Sequence, residues 1–98
     1  MARLSYSARA LPDLERLVEF LLESDPAAAL ETADLITEAV QVLRNDPLVG
    51  RACEAELREL VISRGRSGYL ALYDYVEAQD VVLILAIRHQ REAGYAGD

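Results

Sequence analysis

The sequence predicts an α+β protein in which a helical hairpin packs against one face of a small, largely antiparallel, four-stranded sheet. Two stretches in the first half of the chain repeat apolar residues with the period of a helix. Three stretches in the second half have the composition of strands and are separated by polar segments of turn length. A short alternating segment near the N-terminus adds a fourth strand. The predicted order is therefore β-α-α-β-β-β.

Length and composition limit what else the chain can contain. Its 98 residues suit a single domain over residues 1–98, and 52% hydrophobic against 28% charged residues is typical of a packed globular protein. The longest apolar run, residues 81–87, is far shorter than the ~20 residues that cross a bilayer. Cys53 is the one cysteine, and the N-terminus lacks the apolar core of a signal peptide. We expect a cytoplasmic protein without membrane association.

The charge of the chain is negative and its basic residues are all arginine. The formal net charge is −7, with ten arginines and no lysine. Arginine suits bidentate contacts to carboxylates and phosphates, but codon usage in a GC-rich genome produces the same bias. Residues 1–49 carry nine acidic residues against four arginines, whereas residues 50–98 carry eight against six. The acidic excess therefore lies mostly in the first half of the chain.

The elements of the first half follow from local patterns. Residues 3–6 alternate apolar and polar side chains, which predicts a brief strand. Ser7 is a possible N-cap for the first helix, and Pro12 predicts an irregular first turn. Asp25 and Pro26 form a capping pair that starts the second helix. The apolar stripe of the first helix is Leu11, Leu14, Leu17, Val18, Leu21 and Leu22, and that of the second is Ala29, Leu30, Ala33, Ile36, Val40 and Leu43.

The second half is predicted to form an antiparallel meander. Its strands are residues 57–62, 69–76 and 81–87, and the links between them have hairpin length. The last strand is apolar throughout, which predicts that both of its faces are covered and that it has neighbours on either side. The stretch that follows the second helix, up to Glu56, has no clean period and is predicted to be a loop.

Sequence motifs of most enzyme classes do not occur in this chain. There is no glycine-rich phosphate loop, no paired cysteine and histidine spacing for a metal, and no nucleophile elbow, and His89 is the only histidine. Cys53 lies between charged residues without a visible activating partner, so we expect an inert thiol. We therefore expect no cofactor and no metal site.

Polar side chains follow directly on the most apolar predicted strand. Arg88, His89 and Arg91 would inherit the rigidity of that strand, which makes them candidates for binding a partner. The alternative interpretation is a strand that simply ends in solvent, because charged residues after strands are common and a single histidine is more often structural than catalytic.

Arg58 is predicted to point into the protein. It alternates with Leu60 and Ile62, which places all three on one face of a strand. A buried arginine needs a partner, so we expect an ion pair with a helical acid such as Asp13 or Glu15, or else a position at the mouth of a ligand groove.

Two further patterns favour structural roles. An aromatic row on the middle strand is more often core than a platform for nucleobases, and it consists of Tyr69, Tyr73 and Tyr75. The acids of the first helix are predicted to form a solvated face that could also steer a basic partner, and they are Asp13, Glu15, Glu19 and Glu23.

Five phrases of the chain, taken together and in order, resemble ParE-type toxins of the RelE/ParE superfamily. They are YSARALPDLERLVEFL at 6–21, DPLVGR at 46–51, LRELVI at 57–62, GYLALYDY at 68–75 and ILAIRHQREAGY at 84–95. The resemblance implies a RelE/ParE-like fold and the toxin of a type II toxin–antitoxin module. It further implies a protein that poisons DNA gyrase and is neutralised by a ParD-like antitoxin, with no sequence-specific binding of nucleic acid.

The resemblance also implies where partners bind. An amphipathic helix of the antitoxin would lie on the helical hairpin, at Leu14, Leu17 and Leu21, while an extended antitoxin segment would add to the sheet. The polar candidates for contact with the target or the antitoxin are Arg58, Arg88, His89 and Arg91.

Two alternatives to a gyrase poison remain open at this stage. The RelE-like branch of the superfamily contains ribosome-dependent mRNA endonucleases. In that role Arg58 and Arg88 would hold the scissile phosphate, and His89 or Tyr95 would shuttle the proton. The other alternative is a non-toxic scaffold that still binds the antitoxin.

Overall fold

The computed structural model describes residues 1–64 and 67–92. In this part of the chain two α-helices pack on one face of a five-stranded mixed sheet. The elements are β1 (Arg3–Tyr6), α1 (Ala10–Leu22), α2 (Pro26–Gln41), β2 (Arg51–Ala52), β3 (Arg58–Arg64), β4 (Ser67–Val76) and β5 (Val81–His89), with short 3₁₀ helices at Val42–Arg44 and Glu77–Gln79.

The strands lie in the order β1-β5-β4-β3-β2. β1 runs parallel to β5, and the other neighbours are antiparallel. The predicted α+β class, the helical hairpin and the antiparallel meander are confirmed. The predicted strand number was one too low, because β2 has only two residues and so carries no detectable alternation.

The helix starts follow local chemistry. The Oδ1 of Asp25 accepts a hydrogen bond from the backbone N–H of Ala28 at 3.1 Å, and Pro26 takes the first helical position, as predicted. The Oγ of Ser7 accepts from the N–H of Ala10 at 3.1 Å, so the chain turns before α1 begins. Pro12 then lies in the first turn, where its missing N–H removes no helical bond.

The core lies between the helices and the face of the sheet that they cover. On β4, Tyr69, Ala71 and Tyr73 point into this core and are buried, which confirms the core interpretation of these tyrosines. Tyr75 is half-buried, and its hydroxyl donates to the Oδ1 of Asp80 at 2.7 Å.

β5 differs from the prediction on one face. It has neighbours on both sides, β1 and β4, as expected. The residues Val82, Ile84 and Ile87 are fully buried under the helices, whereas Val81 and Leu83 are half-buried.

Neither α-helix of the described residues has the length and hydrophobicity that a membrane span requires.

Candidate functional site

The end of β5 places His89 under α1. Because paired residues of antiparallel strands share a face, His89 lies on the helix-covered side with its partner Tyr69. The two rings meet edge to face, with centroids 5.2 Å apart and planes at 84°. The Nδ1 of His89 accepts a hydrogen bond from the backbone N–H of Arg91 at 3.0 Å, so the proton of the neutral ring is on Nε2.

The segment before α1 is attached to an irregularity in β5. The register shifts where Leu72 pairs with Ala86 but Tyr73 pairs with Ile84, which leaves Leu85 as an extra residue. The hydroxyl of Ser7 donates to the carbonyl of Leu85 at 3.1 Å and also accepts from the N–H of Ala10, the first residue of α1. This bond joins the start of α1 to the bulge.

Asp13 makes the second connection between α1 and β5. Asp13 is only 5% exposed, and its Oδ2 accepts from the backbone N–H of Ile87 at 2.9 Å. The prediction that Asp13 belongs to a solvated face was wrong. The carboxylate instead fixes α1 over the strand, two residues before His89.

An ion pair connects α1 to the residues after β5. Nη1 and Nη2 of Arg16 donate to Oε1 and Oε2 of Glu92 at 2.9 and 3.3 Å. Burial of the Glu92 carboxyl by itself raises its pKa, but the hydrogen bonds and the charge of Arg16 outweigh this and hold the pKa below the ordinary 4.5.

Together these contacts form a groove between α1 and the end of β5, which we call the α1 groove. Its volume is about 590 Å³, and its lining residues are Arg16, Leu17, Phe20, Leu21, Tyr69, His89, Arg91 and Glu92. Phe20 is 78% exposed, although it lies beside the apolar stripe of α1. The groove therefore combines apolar walls with charged groups at one end, as protein-binding surfaces do.

Four of the predicted contact residues, Leu17, Leu21, His89 and Arg91, line the α1 groove. Leu14 is half-buried and packs against the core. Sequence reasoning missed Phe20, although a phenylalanine beside a leucine stripe was a visible signal.

Arg88 lies on the opposite face of the sheet from His89. It pairs with Leu70, and its Nη1 donates to the backbone carbonyl of Glu92 at 2.6 Å. The structure therefore does not bring Arg88 and His89 to the same side. Tyr95 lies outside the described residues.

Arg58 lies at the other end of the sheet. Its Nη1 donates to the carbonyl of Gly50 at 2.8 Å and to that of Leu48 at 3.2 Å, while Asp13 is bonded to Ile87. Of the two predicted alternatives, the ion pair with Asp13 or Glu15 is therefore wrong within the described residues, whereas Arg58 does lie in the lining of a cavity. Backbone carbonyls of the loop eight to ten residues earlier in the chain replace the expected carboxylate, and no periodic pattern signals such partners.

The same loop is held by Tyr73. Its hydroxyl donates to the carbonyl of Pro47 at 2.8 Å and accepts from the N–H of Gly50 at 2.9 Å. Burial raises the pKa of this hydroxyl, and the hydrogen bond from Gly50 opposes that rise. A Cβ on Gly50 would lie 2.6 Å from Tyr73, which explains the glycine at this position.

The charged residues are unevenly distributed along the chain. Residues 10–41 carry eight acidic residues and one arginine, whereas the rest of the chain carries nine of each. The entire formal charge of −7 is therefore on the helical hairpin.

Among the described residues no group of three histidine, cysteine or carboxylate side chains is arranged to hold a metal ion, and Cys53 is exposed.

Known proteins have sequences similar to that of this chain. A family model described as ParE toxin of type II toxin-antitoxin system, parDE, matches residues 4–94. Toxin RelE3 of Caulobacter vibrioides is 35% identical over 92 residues, which cover 94% of this chain and 98% of that one. Toxin RelE1 of the same organism is 37% identical over 67 residues, covering 68% and 72%.

Solved structures share the fold. A chain from the chromosomal ParDE system of P. aeruginosa has a TM-score of 0.77 at 24% identity, covering 91% of this chain and 96% of that one. A chain from the intact E. coli RelBE toxin-antitoxin complex has a TM-score of 0.68 at 13% identity, covering 94% and 100%.

Proposed function

Because this chain belongs to the ParE toxin family of type II toxin–antitoxin systems, we propose that it poisons DNA gyrase in the cytoplasm and that a ParD-like antitoxin keeps it inactive. The function is then one of binding. The protein needs a rigid surface that holds a partner and no catalytic set of side chains.

The separation of the cationic candidates carries this proposal. An endoribonuclease needs its arginines and its proton carrier around one phosphate. Arg58 pairs with Tyr73, near one end of β4, whereas His89 pairs with Tyr69 at the other end. Arg88 points to the opposite face of the sheet from both. No single phosphate reaches all three side chains.

The hydrogen bonds of these residues support the same conclusion. Arg58 and Arg88 each use Nη1 to hold backbone carbonyls, so a phosphate would have to compete with those bonds. The Nδ1 of His89 is occupied by the N–H of Arg91, which leaves Nε2–H as a donor towards a ligand. A donor of this kind suits recognition better than proton abstraction.

Electrostatics also favour a protein over an RNA partner. Nucleic-acid binders obtain much of their affinity by neutralising phosphates. The helical hairpin, which forms one wall of the α1 groove, carries the whole net charge of the chain. The net charge of the hairpin as a whole repels a polyanion, although the groove lining itself carries Arg16 and Arg91 against Glu92.

The α1 groove is the proposed docking site of the antitoxin. Leu17, Leu21 and the exposed Phe20 offer apolar anchors along one side of α1. An amphipathic helix binds such a groove with side chains spaced three and four residues apart. The structural neighbours from ParDE and RelBE systems are consistent with an antitoxin partner.

Purified protein tests the target. We expect that the chain, incubated with gyrase, ATP and supercoiled plasmid, produces linear DNA after treatment with detergent and protease. Ribosomes programmed with mRNA should leave the message intact in the same preparation. Cleavage of the mRNA without linear plasmid would replace gyrase poisoning with RelE-like activity. Absence of both activities, together with antitoxin binding, would identify a non-toxic scaffold.

A second experiment tests the groove. Phe20→Ser should weaken binding of the antitoxin encoded by the neighbouring reading frame by about 10-fold or more, as expected for an exposed aromatic side chain that the partner covers on binding. Leu30→Ser is the matched control, because Leu30 is 67% exposed on α2 and does not line the groove. Equal affinities for the two variants would contradict the proposed docking site.

A further inference from the structure

The loop of residues 46–51 exposes apolar side chains on a fixed backbone. Leu48 is 56% exposed and Val49 is 49% exposed. Loops that face solvent without a partner are usually polar, so two consecutive branched apolar residues need an explanation.

The backbone around these residues is held from inside the protein. Tyr73, which is fully buried, bonds the carbonyl of Pro47 and the N–H of Gly50 through its hydroxyl. Arg58 bonds the carbonyls of Leu48 and Gly50. These contacts fix the loop before any partner arrives, which lowers the entropy cost of binding.

A cavity of about 270 Å³ adjoins this loop. Leu48, Leu57 and Tyr75 supply apolar walls, and Glu56 and Glu77 supply carboxylates. Arg58 also lines the cavity, but its Nη1 is turned to the two loop carbonyls. The cavity thus has apolar walls beside two carboxylates.

We propose that residues 46–51 and this cavity form a second docking surface, the loop-46 surface, which contacts the target protein of the toxin. The segment that docks there carries an apolar side chain that enters the cavity and a lysine or arginine that meets Glu56 or Glu77. This inference rests on the proposed function, in which the chain acts by binding a protein. A nucleic acid does not fit, because its phosphates would face those carboxylates.

The position of the surface favours the target over the antitoxin. Tyr69 lines the α1 groove and Tyr75 lines the cavity. They are six positions apart along β4, which corresponds to about 20 Å. The two linings share no residue, so a short helix confined to the α1 groove does not fill the loop-46 surface.

The double variant Leu48→Ser with Val49→Ser tests this surface. Cells should need at least about 10-fold more inducer of this variant than of the wild type to reach the same growth arrest. The reason is that apolar anchors at the centre of an interface carry much of the affinity. Its urea midpoint and its affinity for the neighbouring antitoxin should match those of the wild type. Leu11→Ser with Leu30→Ser is the control, since it removes two exposed leucines from the helices.

Glu56→Gln with Glu77→Gln tests the charge contribution. This variant should weaken growth arrest several-fold while keeping the wild-type urea midpoint. The proposal would be overturned if both double variants arrest growth as strongly as the wild type does. It would also be overturned if the wild-type chain itself arrests no growth. A parallel loss of antitoxin affinity would assign the surface to the antitoxin and overturn it as well. A wild-type chain that arrests growth without linearising plasmid would remove gyrase as the target but leave this surface in place.

Discussion

The carboxylate of Asp13 in α1 accepts a hydrogen bond from the backbone N–H of Ile87 in β5 at 2.9 Å. This bond lies just beyond the bulge at Leu85 and just before His89. It therefore sets the distance between α1 and the end of β5, the two elements that form the α1 groove.

Removing this carboxylate should destabilise the protein. Asp13→Ala leaves the N–H of Ile87 buried without its acceptor, which costs about 2–3 kcal/mol in the free energy of unfolding. Asp13→Asn should cost less, because an amide oxygen also accepts. Urea denaturation measures both, and Glu15→Ala is the control on the exposed face of the same helix. Equal stability of Asp13→Ala and Glu15→Ala would show that the bond contributes nothing.

The hydroxyl of Tyr73 should matter more than that of Tyr75. Tyr73→Phe leaves the carbonyl of Pro47 and the N–H of Gly50 without their shared partner, with an expected cost of about 1–3 kcal/mol. Tyr75→Phe removes a bond to the exposed Asp80 and should cost no more than about 0.5 kcal/mol. Thermal or urea unfolding of the two variants compares them directly, and the reverse order would refute this account of the loop.

Gly50 should tolerate a side chain poorly. Gly50→Ala places a Cβ 2.6 Å from the ring and hydroxyl of the buried Tyr73, so we expect a loss of about 1–3 kcal/mol. Gly68→Ala is the control, because its Cβ would meet the flexible end of Gln90, which can move away. Urea midpoints of the two variants give the difference. A Gly50→Ala protein as stable as Gly68→Ala would mean that the loop shifts freely.

The Arg16–Glu92 pair predicts a pH dependence. The folded protein lowers the pKa of Glu92, so the pair stabilises the native state above the ordinary 4.5 and loses this effect as pH falls through the lowered value. Because both side chains are partly exposed, the contribution is at most about 1 kcal/mol. The difference in unfolding free energy between wild type and Glu92→Gln, measured from neutral to acid pH, should shrink towards zero. If the difference in unfolding free energy between the two proteins stays constant with pH, the predicted contribution of the Arg16–Glu92 pair is contradicted.

The sequence predicted the elements whose signals are local. The Asp25-Pro26 start, the three long strands and most of the α2 stripe were found, because periodicity and capping depend on neighbouring residues. Leu30 of that predicted stripe is instead 67% exposed. β2 was missed because two residues show no period. The bulge at Leu85 was missed because a register shift depends on the partner strand.

The site was predicted less completely than the fold. Four of the predicted residues line one groove: Leu17, Leu21, His89 and Arg91. Arg58 and Arg88 lie elsewhere, because strand register decides on which face and at which end of the sheet a residue lies. Asp13 was assigned to solvent from its charge alone. Its position four residues before Leu17, on the apolar side of α1, was the signal that it is buried.

The most direct test of the central claim is the fraction of supercoiled plasmid that gyrase leaves linear. This fraction is measured while the antitoxin from the neighbouring reading frame is titrated into a fixed amount of this chain. Our account predicts linear DNA with the chain alone and none once the antitoxin saturates the chain. Plasmid that stays supercoiled or relaxed at every concentration of the folded wild-type chain would contradict gyrase poisoning.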